Sequence, residues 1–223
     1  MEKGTKIINK VKENDLTYLS EEKLWTIYGI VSGLTKKNVF GIIIEAGCAL
    51  GGSSIVIAAA KEKNQKMFVF DTFSMIPPPS PKDDSDVHQR YATIESGKSL
   101  GINGEQYYGY RNDLQEFFCK NLFDFGTKAD EHNIFMVKGL LQNTMLIQET
   151  VAFAHIDVDW YESVLHCLQN IVPHLSLNGV IIIDDYTTWS GCRKATDQYF
   201  SSISENFQFS GEKNGHLIIT RIK

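Results

Sequence analysis

The sequence predicts an α/β protein with a mostly parallel sheet, helices on both its faces, and a closing antiparallel hairpin. Three observations carry this expectation. Short apolar runs alternate with helical stretches, the pattern that builds parallel sheets. One run passes into a glycine-rich turn that opens a helix, Glu45-Ala46-Gly47-Cys48-Ala49-Leu50-Gly51-Gly52-Ser53-Ser54. The last two runs, Phe207–Phe209 and His216–Ile219, are joined by a turn spanning Gly211 to Gly215, which suits a hairpin.

The elements follow in order. Thr17–Leu34 reads as a helix with Leu19, Leu24, Tyr28 and Val31 on one stripe. Ser20 with Glu21 and Glu22 behind it suits the helix start, where a hydroxyl and early acids satisfy free N–H groups. Val39–Ile44 is a first buried strand, Ile55–Lys63 a helix, and Met67–Phe70 a second strand ending at Asp71. The insert from Phe73 to Gly109 breaks the pattern: Pro77, Pro78 and Pro79 exclude helix interior and central strand. So long an insert is either an active-site lid or a surface loop. Asp113–Phe125 is helical, with Leu114, Phe117, Phe118, Leu122 and Phe125 at helical spacing. Asn133–Val137, Val151–Ile156 and Val180–Ile183 are strands, and Ser163–Val172 and Gly191–Phe200 are helices.

With 223 residues, 43% hydrophobic and 22% charged, the chain has the composition of a globular protein with room for a core of ordinary size. A net charge of −5 argues against binding nucleic acid through general phosphate attraction. The four cysteines form no CxxC pair, so a thiolate zinc site is not expected. The charged start lacks an apolar signal region, no run spans a bilayer, and a cytoplasmic location with free thiols is expected.

Two acidic clusters end two of the apolar runs: His155-Ile156-Asp157-Val158-Asp159 and Ile183-Asp184-Asp185-Tyr186. Carboxylates gathered at buried strand ends need a counter-charge, and a hard divalent cation such as Mg²⁺ suits oxygen ligands. The turn Glu45-x-Gly47-x-x-x-Gly51-Gly52-Ser53 is neither GxGxxG nor GxxxxGK[ST], so a dinucleotide or P-loop site is disfavoured. An acid at the end of the second strand, Asp71, can take ribose hydroxyls. With no pyrophosphate cradle beside it, a nucleoside carrying an amino-acid tail fits, which describes S-adenosylmethionine. A role for Asp71 as a helix N-cap or turn residue stays open.

In their order, Glu45-x-Gly47…Gly51-Gly52-Ser53, Asp71-Thr72-Phe73…Met75-x-Pro77-Pro78-Pro79, Val137-Lys138-Gly139, Asp157-x-Asp159-x-Tyr161-Glu162-Ser163 and Asp184-Asp185-Tyr186…Trp189-x-Gly191-x-Arg193-x-Ala195 form a specific set. The set resembles the TylF/MycF (macrocin) group of sugar O-methyltransferases, which includes a novobiocin-pathway deoxysugar methyltransferase. The likeness runs from about Phe40 to Phe200. It implies a class I methyltransferase (Rossmann-like) fold with a seven-stranded sheet, S-adenosylmethionine and Mg²⁺ as cofactors, and a sugar or other vicinal-diol acceptor. By position, Asp157, Asp184 and Asp185 match the metal ligands and Asp159 the general base. Glu45, Gly47, Gly51, Ser53, Asp71, Thr72 and Gly139 fall in the cofactor-binding stretches. Residues 1–38 are then an N-terminal helical segment, and 39–223 the methyltransferase domain with a lid insert at 73–110. The group contains dimers, and the N-terminal helix could supply an interface. The chain departs from the pattern at Gly139-Leu140-Leu141-Gln142-Asn143-Thr144 and at Ser74, which bears on the acceptor more than on the chemistry.

Several roles stay open. Asp159 is a base or a cap for the helix behind it. His155 orients substrate or belongs to the core, and His88 in the insert could touch substrate. Trp189 and Arg193 are read as anchors of the last helix. A metal-dependent glycosyltransferase would use Asp157 and Asp159 but leave the glycine turn and Asp71 idle. A non-catalytic binding module is opposed by the intact acid set, and a NAD-dependent dehydrogenase by the missing GxGxxG.

Overall fold

A computed structural model describes residues 2–212 and 215–223. Two helices lead, α1 (Glu2–Glu13) and α2 (Glu21–Lys36). The order then runs β1 (Ile42–Ala46), α3 (Gly52–Ala60), β2 (Met67–Asp71), α4 (Ser85–Glu95), α5 (Leu114–Asp124), β3 (Ile134–Lys138), α6 (Leu141–Thr144) and β4 (Val151–Ile156). It closes with α7 (Tyr161–Ile171), β5 (Leu175–Ile183), α8 (Ser190–Phe200), β6 (Phe207–Ser210) and β7 (Leu217–Arg221).

The seven strands form one sheet in the order β3-β2-β1-β4-β5-β7-β6. The first five are parallel, and β7 and β6 close the edge antiparallel, as expected. Side chains alternate between two apolar layers. Ile43, Met67, Val69, Phe153 and Ile182 face α1, α2, α3 and α5. Ile44, Phe70, Ala154, Ile181 and Ile183 face α6, α7 and α8. No described helix is long and apolar enough to cross a membrane.

Several boundaries shift for physical reasons. The helix expected from Thr17 begins at Glu21. Ser20 is its extended cap and accepts the Lys23 N–H at 3.2 Å, while Thr17 Oγ1 accepts the Leu19 N–H at 3.1 Å. The first strand starts at Ile42 rather than Val39, because Gly41 turns the chain at φ 138° with no room for a Cβ beside β4. It runs on through Glu45 and Ala46, which pair with β2 and β4. β5 begins at Leu175, five residues before the expected Val180, with a register irregularity against β4. The hairpin turn includes Lys213 and Asn214, which lie outside the described residues.

The insert is less irregular than expected. Its prolines are non-helical, yet α4 follows them. Ile76, Val87, Ile94 and Tyr107 bury against Trp160 as a third small core.

Candidate active site

The strand order reverses between β1 and β4, and the parallel strands point the chain ends that follow them to one edge, the place where open α/β sheets bind ligands. The ladder extends past the strands there. Asp157 N–H donates to Ala46 O at 2.9 Å and Asp184 N–H to Ile156 O at 2.9 Å. Successive strand tips thereby carry the two acidic clusters side by side. One carboxylate oxygen each from Asp157, Asp184 and Asp185 lie within 4.8 Å of one another.

Gly47 makes this approach possible. At φ 82° it occupies the left-handed region, and a Cβ there would stand 1.9 Å from the Asp157 carbonyl oxygen. The turn after β1 therefore lies directly on the turn after β4. Two adjoining cavities, of about 270 Å³ and about 60 Å³, share Gly47, Asp71, Tyr108, Asp157 and Asp159 as walls.

The cofactor-stretch residues divide. Gly47 and Asp71 line both cavities, Ser53 the larger, and Thr72 and Gly139 the smaller. Asp71 also has the turn-forming role: Oδ2 accepts the Cys48 and Ala49 N–H groups at 2.8 and 3.3 Å, and Oδ1 the Phe73 N–H at 2.7 Å. Gly51 shapes the start of α3 at φ 94° against the Phe118 ring, outside the cavity lining. Glu45 is also outside it. Its carboxylate is buried behind β1, where it accepts the Ser54 hydroxyl and stands 3.4 Å from His155 Nδ1. His155 is thus a core residue, not a cavity wall.

The acids crowd one another. Burial first, then the charges of Asp184, Asp185 and Asp159, push the Asp157 carboxyl well above the usual range, against a smaller pull from Lys23. Burial, followed by Asp185, does the same to Asp159. Burial and Asp185 raise Asp184, opposed by His155 and Lys23. Asp184 Oδ1 is buried and makes no hydrogen bond with any described residue, an orphan acceptor of the kind a cation satisfies. Its other oxygen is held by Lys23, whose Nζ is 2.9 Å from Oδ2 and 3.3 Å from the Asp184 carbonyl. With one ammonium among four carboxylates in the described residues, the group fits a hard divalent cation at Asp157, Asp184 and Asp185.

Asp159 does not cap α7. It sits at φ 58°, with its carboxyl group beside that of Asp185. The α7 N-terminus is served instead by Asp83 of the insert, whose Oδ1 accepts the Tyr161 N–H at 2.8 Å. His88 is exposed and lines neither cavity, whereas Arg90 on the same helix lines the larger. Trp189 packs edge-on against Trp160 with ring centres 5.7 Å apart, and Arg193 Nε donates to Tyr186 O at 3.2 Å. Sequence reasoning missed Lys23, Tyr18, Arg90, Tyr107 and Tyr108, which also line the larger cavity. None sits in a motif, and only the path of α2 and the insert brings them to the strand tips.

A seven-stranded class I fold with an aspartate cluster at its switch point defines a methyltransferase class. The sequence profile of the macrocin O-methyltransferase (TylF) family matches residues 13–206, and the chain belongs to that family of S-adenosylmethionine-dependent O-methyltransferases. It is 25% identical to the demethyldecarbamoylnovobiocin O-methyltransferase of Streptomyces niveus over 192 residues, 83% of this chain and 68% of the relative. It is 27% identical to the 8-demethyl-8-(2,3-dimethoxy-alpha-L-rhamnosyl)-tetracenomycin-C 4'-O-methyltransferase of Streptomyces olivaceus over 189 residues, 82% of this chain and 67% of the relative. The solved structure of the O-methyltransferase NovP superposes with a TM-score of 0.78 at 21% identity, covering 93% of this chain and 83% of that one.

Proposed function

We propose that this chain is a Mg²⁺-dependent O-methyltransferase acting on a hydroxyl of a sugar or another small molecule with vicinal hydroxyls, in natural-product or glycan biosynthesis. The supporting observation is the trio of aspartate oxygens within 4.8 Å of one another, on the wall of a cavity that the glycine turn also lines. The family and its relatives, named as O-methyltransferases of demethyldecarbamoylnovobiocin and of a rhamnosyl-tetracenomycin, point the same way.

In this reading Asp157, Asp184 and Asp185 hold the cation, and Lys23 fixes the Asp184 carboxylate by its second oxygen. The cation would supply positive charge that favours loss of a hydroxyl proton. S-adenosylmethionine would supply the methyl group, with Gly47, Ser53, Asp71, Thr72 and Gly139 as its contacts. Asp159 takes the proton of the acceptor hydroxyl on its carboxylate. Trp160, Trp189, Tyr107 and Tyr108 wall the cavity and exclude water. A homodimer in a reducing cytoplasm completes the reading; the four cysteines are free thiols.

Calorimetry tests it. S-adenosylhomocysteine and Mg²⁺ should each bind the wild type, and Asp184→Asn should abolish the Mg²⁺ heat. Asp159→Asn should keep both and lose about 10²–10⁴-fold in turnover. Binding of a nucleotide sugar in place of S-adenosylhomocysteine, or unaltered turnover in Asp159→Asn, defeats the reading.

A further inference from the structure

The sequence contains four arginines. Three use their guanidinium groups within the protein: Arg111 on Asp113, Arg193 on Tyr186 O, and Arg221 on Leu175 O and Lys223 O. Arg90 is the exception. Its side chain makes no hydrogen bond and no ion pair with any described residue; it lies over the Tyr107 ring, 5.7 Å from ring centre to Cζ, and its charge reaches Asp159 only from a distance. Yet it lines the larger cavity, alongside Tyr18 and Tyr107. Lys23, the other cation among the described residues of that cavity's lining, is already committed to Asp184.

None of the five N–H donors of Arg90 has a partner among the described residues and none of its nitrogens is sealed from solvent, so the fork stands open to a ligand at the cavity wall. Its planar fork matches a carboxylate or a phosphate in bidentate fashion. The acids come from the sheet, whereas Arg90 comes from α4 in the insert, and none of those carboxylates lies within ion-pair reach of it. Tyr18 beside it is 49% exposed, so this wall of the cavity opens toward solvent, where an acceptor enters. The carboxylate of the methyl donor's amino-acid tail has another place. The glycine turn and Ser53 at the start of α3 also line the cavity, and a helix N-terminus suits that anion.

Resting on the O-methyltransferase reading above, we propose that Arg90 is a specificity-determining residue that binds an anionic group of the acceptor. The molecule methylated here carries a carboxylate or phosphate, as a uronic acid, a sugar phosphate or a nucleotide-linked sugar does. Neutral glycosides are poorer ligands of this cavity.

The side-chain Nε–Hε signals of four arginines can be followed by ¹⁵N NMR, with the Arg90 signal assigned by its loss in Arg90→Met. Calorimetry with S-adenosylhomocysteine is run first and reports on the methyltransferase reading alone. On protein saturated with S-adenosylhomocysteine and Mg²⁺, glucuronate or glucose 1-phosphate should shift the Arg90 signal, and methyl glucoside should leave it in place. Which anion acts distinguishes carboxylate from phosphate. Arg90→Met should weaken binding of that anion at least about tenfold, the loss of one charge-assisted contact, with Arg90→Lys in between. The proposal fails if neither anion moves the signal, if the neutral sugar moves it equally, or if Arg90→Met binds the anion as well as wild type. It also fails if S-adenosylhomocysteine alone takes up the Arg90 signal and blocks the anions, which would assign the guanidinium to the cofactor.

Discussion

At the scale of single residues, Gly47 sets the distance between the two turns that form the site. Any side chain there meets the Asp157 carbonyl and must also adopt φ 82°. Gly47→Ala should therefore cost at least about 2 kcal/mol in a urea melt and abolish S-adenosylhomocysteine binding. A variant of wild-type stability would show that the turns can separate freely. His216 offers a test through pH. Burial first, then the charges of Lys23 and His155, hold its imidazole down to about 4 from 6.5. The folded protein thus keeps His216 neutral where the unfolded chain has already protonated it. Its contribution to stability is complete above pH 6.5 and is lost as pH falls toward 4. Comparing denaturation midpoints at pH 7.5 and 5, wild type should lose more than His216→Gln; equal losses would mean that His216 is free to take up its proton when folded. Parity explains one misjudged residue. Glu45 lies two positions after Ile43 on a strand that runs to Ala46, so it faces the same packed layer. Ending the strand at Ile44 hid that relation and left Glu45 counted among the cofactor contacts.

At the scale of elements, the insert is held down by helix ends. Trp160 and Trp189 occupy the cap positions of α7 and α8 and make no side-chain cap there. Asp83 takes the Tyr161 N–H of α7, and Asp86 takes the Ser190 N–H of α8 at 2.9 Å and its hydroxyl at 2.5 Å. Although burial pushes the Asp86 carboxyl up, hydrogen bonds from Ser190 together with those of the Val87 and Asp86 backbone outweigh it and hold it below the usual range. Negative charge at these N-termini also meets the helix dipoles. Trp160 Nε1 adds a 3.0 Å bond to Pro77 O. Asp83→Ala and Asp86→Ala should each cost about 1 kcal/mol. In hydrogen exchange, amides of residues 76–95 should lose protection before those of β1 and β4; uniform loss across the sheet would refute the tethering. None of this was legible in the sequence, where Asp83, Asp84 and Asp86 looked like loop composition. The helix α4 was missed because it buries only Val87 and Ile94, too few apolar positions to mark a helical stripe. The β-strands were legible for the opposite reason: runs such as Val151–Ile156 are buried on both faces and cannot be polar at either parity.

At the scale of the whole molecule, four carboxylates meet at one edge of the sheet, with Lys23 the single ammonium bonded among them in the described residues. The folded state without a cation therefore carries uncompensated repulsion that the unfolded chain escapes. Mg²⁺ at a hundred times its dissociation constant should raise stability by about 2.7 kcal/mol, chelator should reverse it, and Asp185→Asn should blunt the response. A melting temperature indifferent to Mg²⁺ in the wild type would rule out a cation at this cluster. The acid cluster itself was readable from the sequence, because two buried runs each end in aspartates. Its counter-charge was not, since Lys23 is separated from Asp184 by 161 positions.

The N-terminal stretch reaches the site at two points and the insert at a third. Leu16 to Leu19 wall the larger cavity, Lys23 grips Asp184, and Asp15 Oδ1 receives the Asn103 side-chain amide of the insert at 2.9 Å. The Leu16 carbonyl also accepts the Gly52 N–H at 3.0 Å. Apart from Lys23, the residues here that face the cavity belong to a non-helical stretch and pair with no strand. A new acceptor preference is therefore open to evolution, or to the protein engineer, by grafting a different leading arm while the catalytic sheet is inherited unchanged.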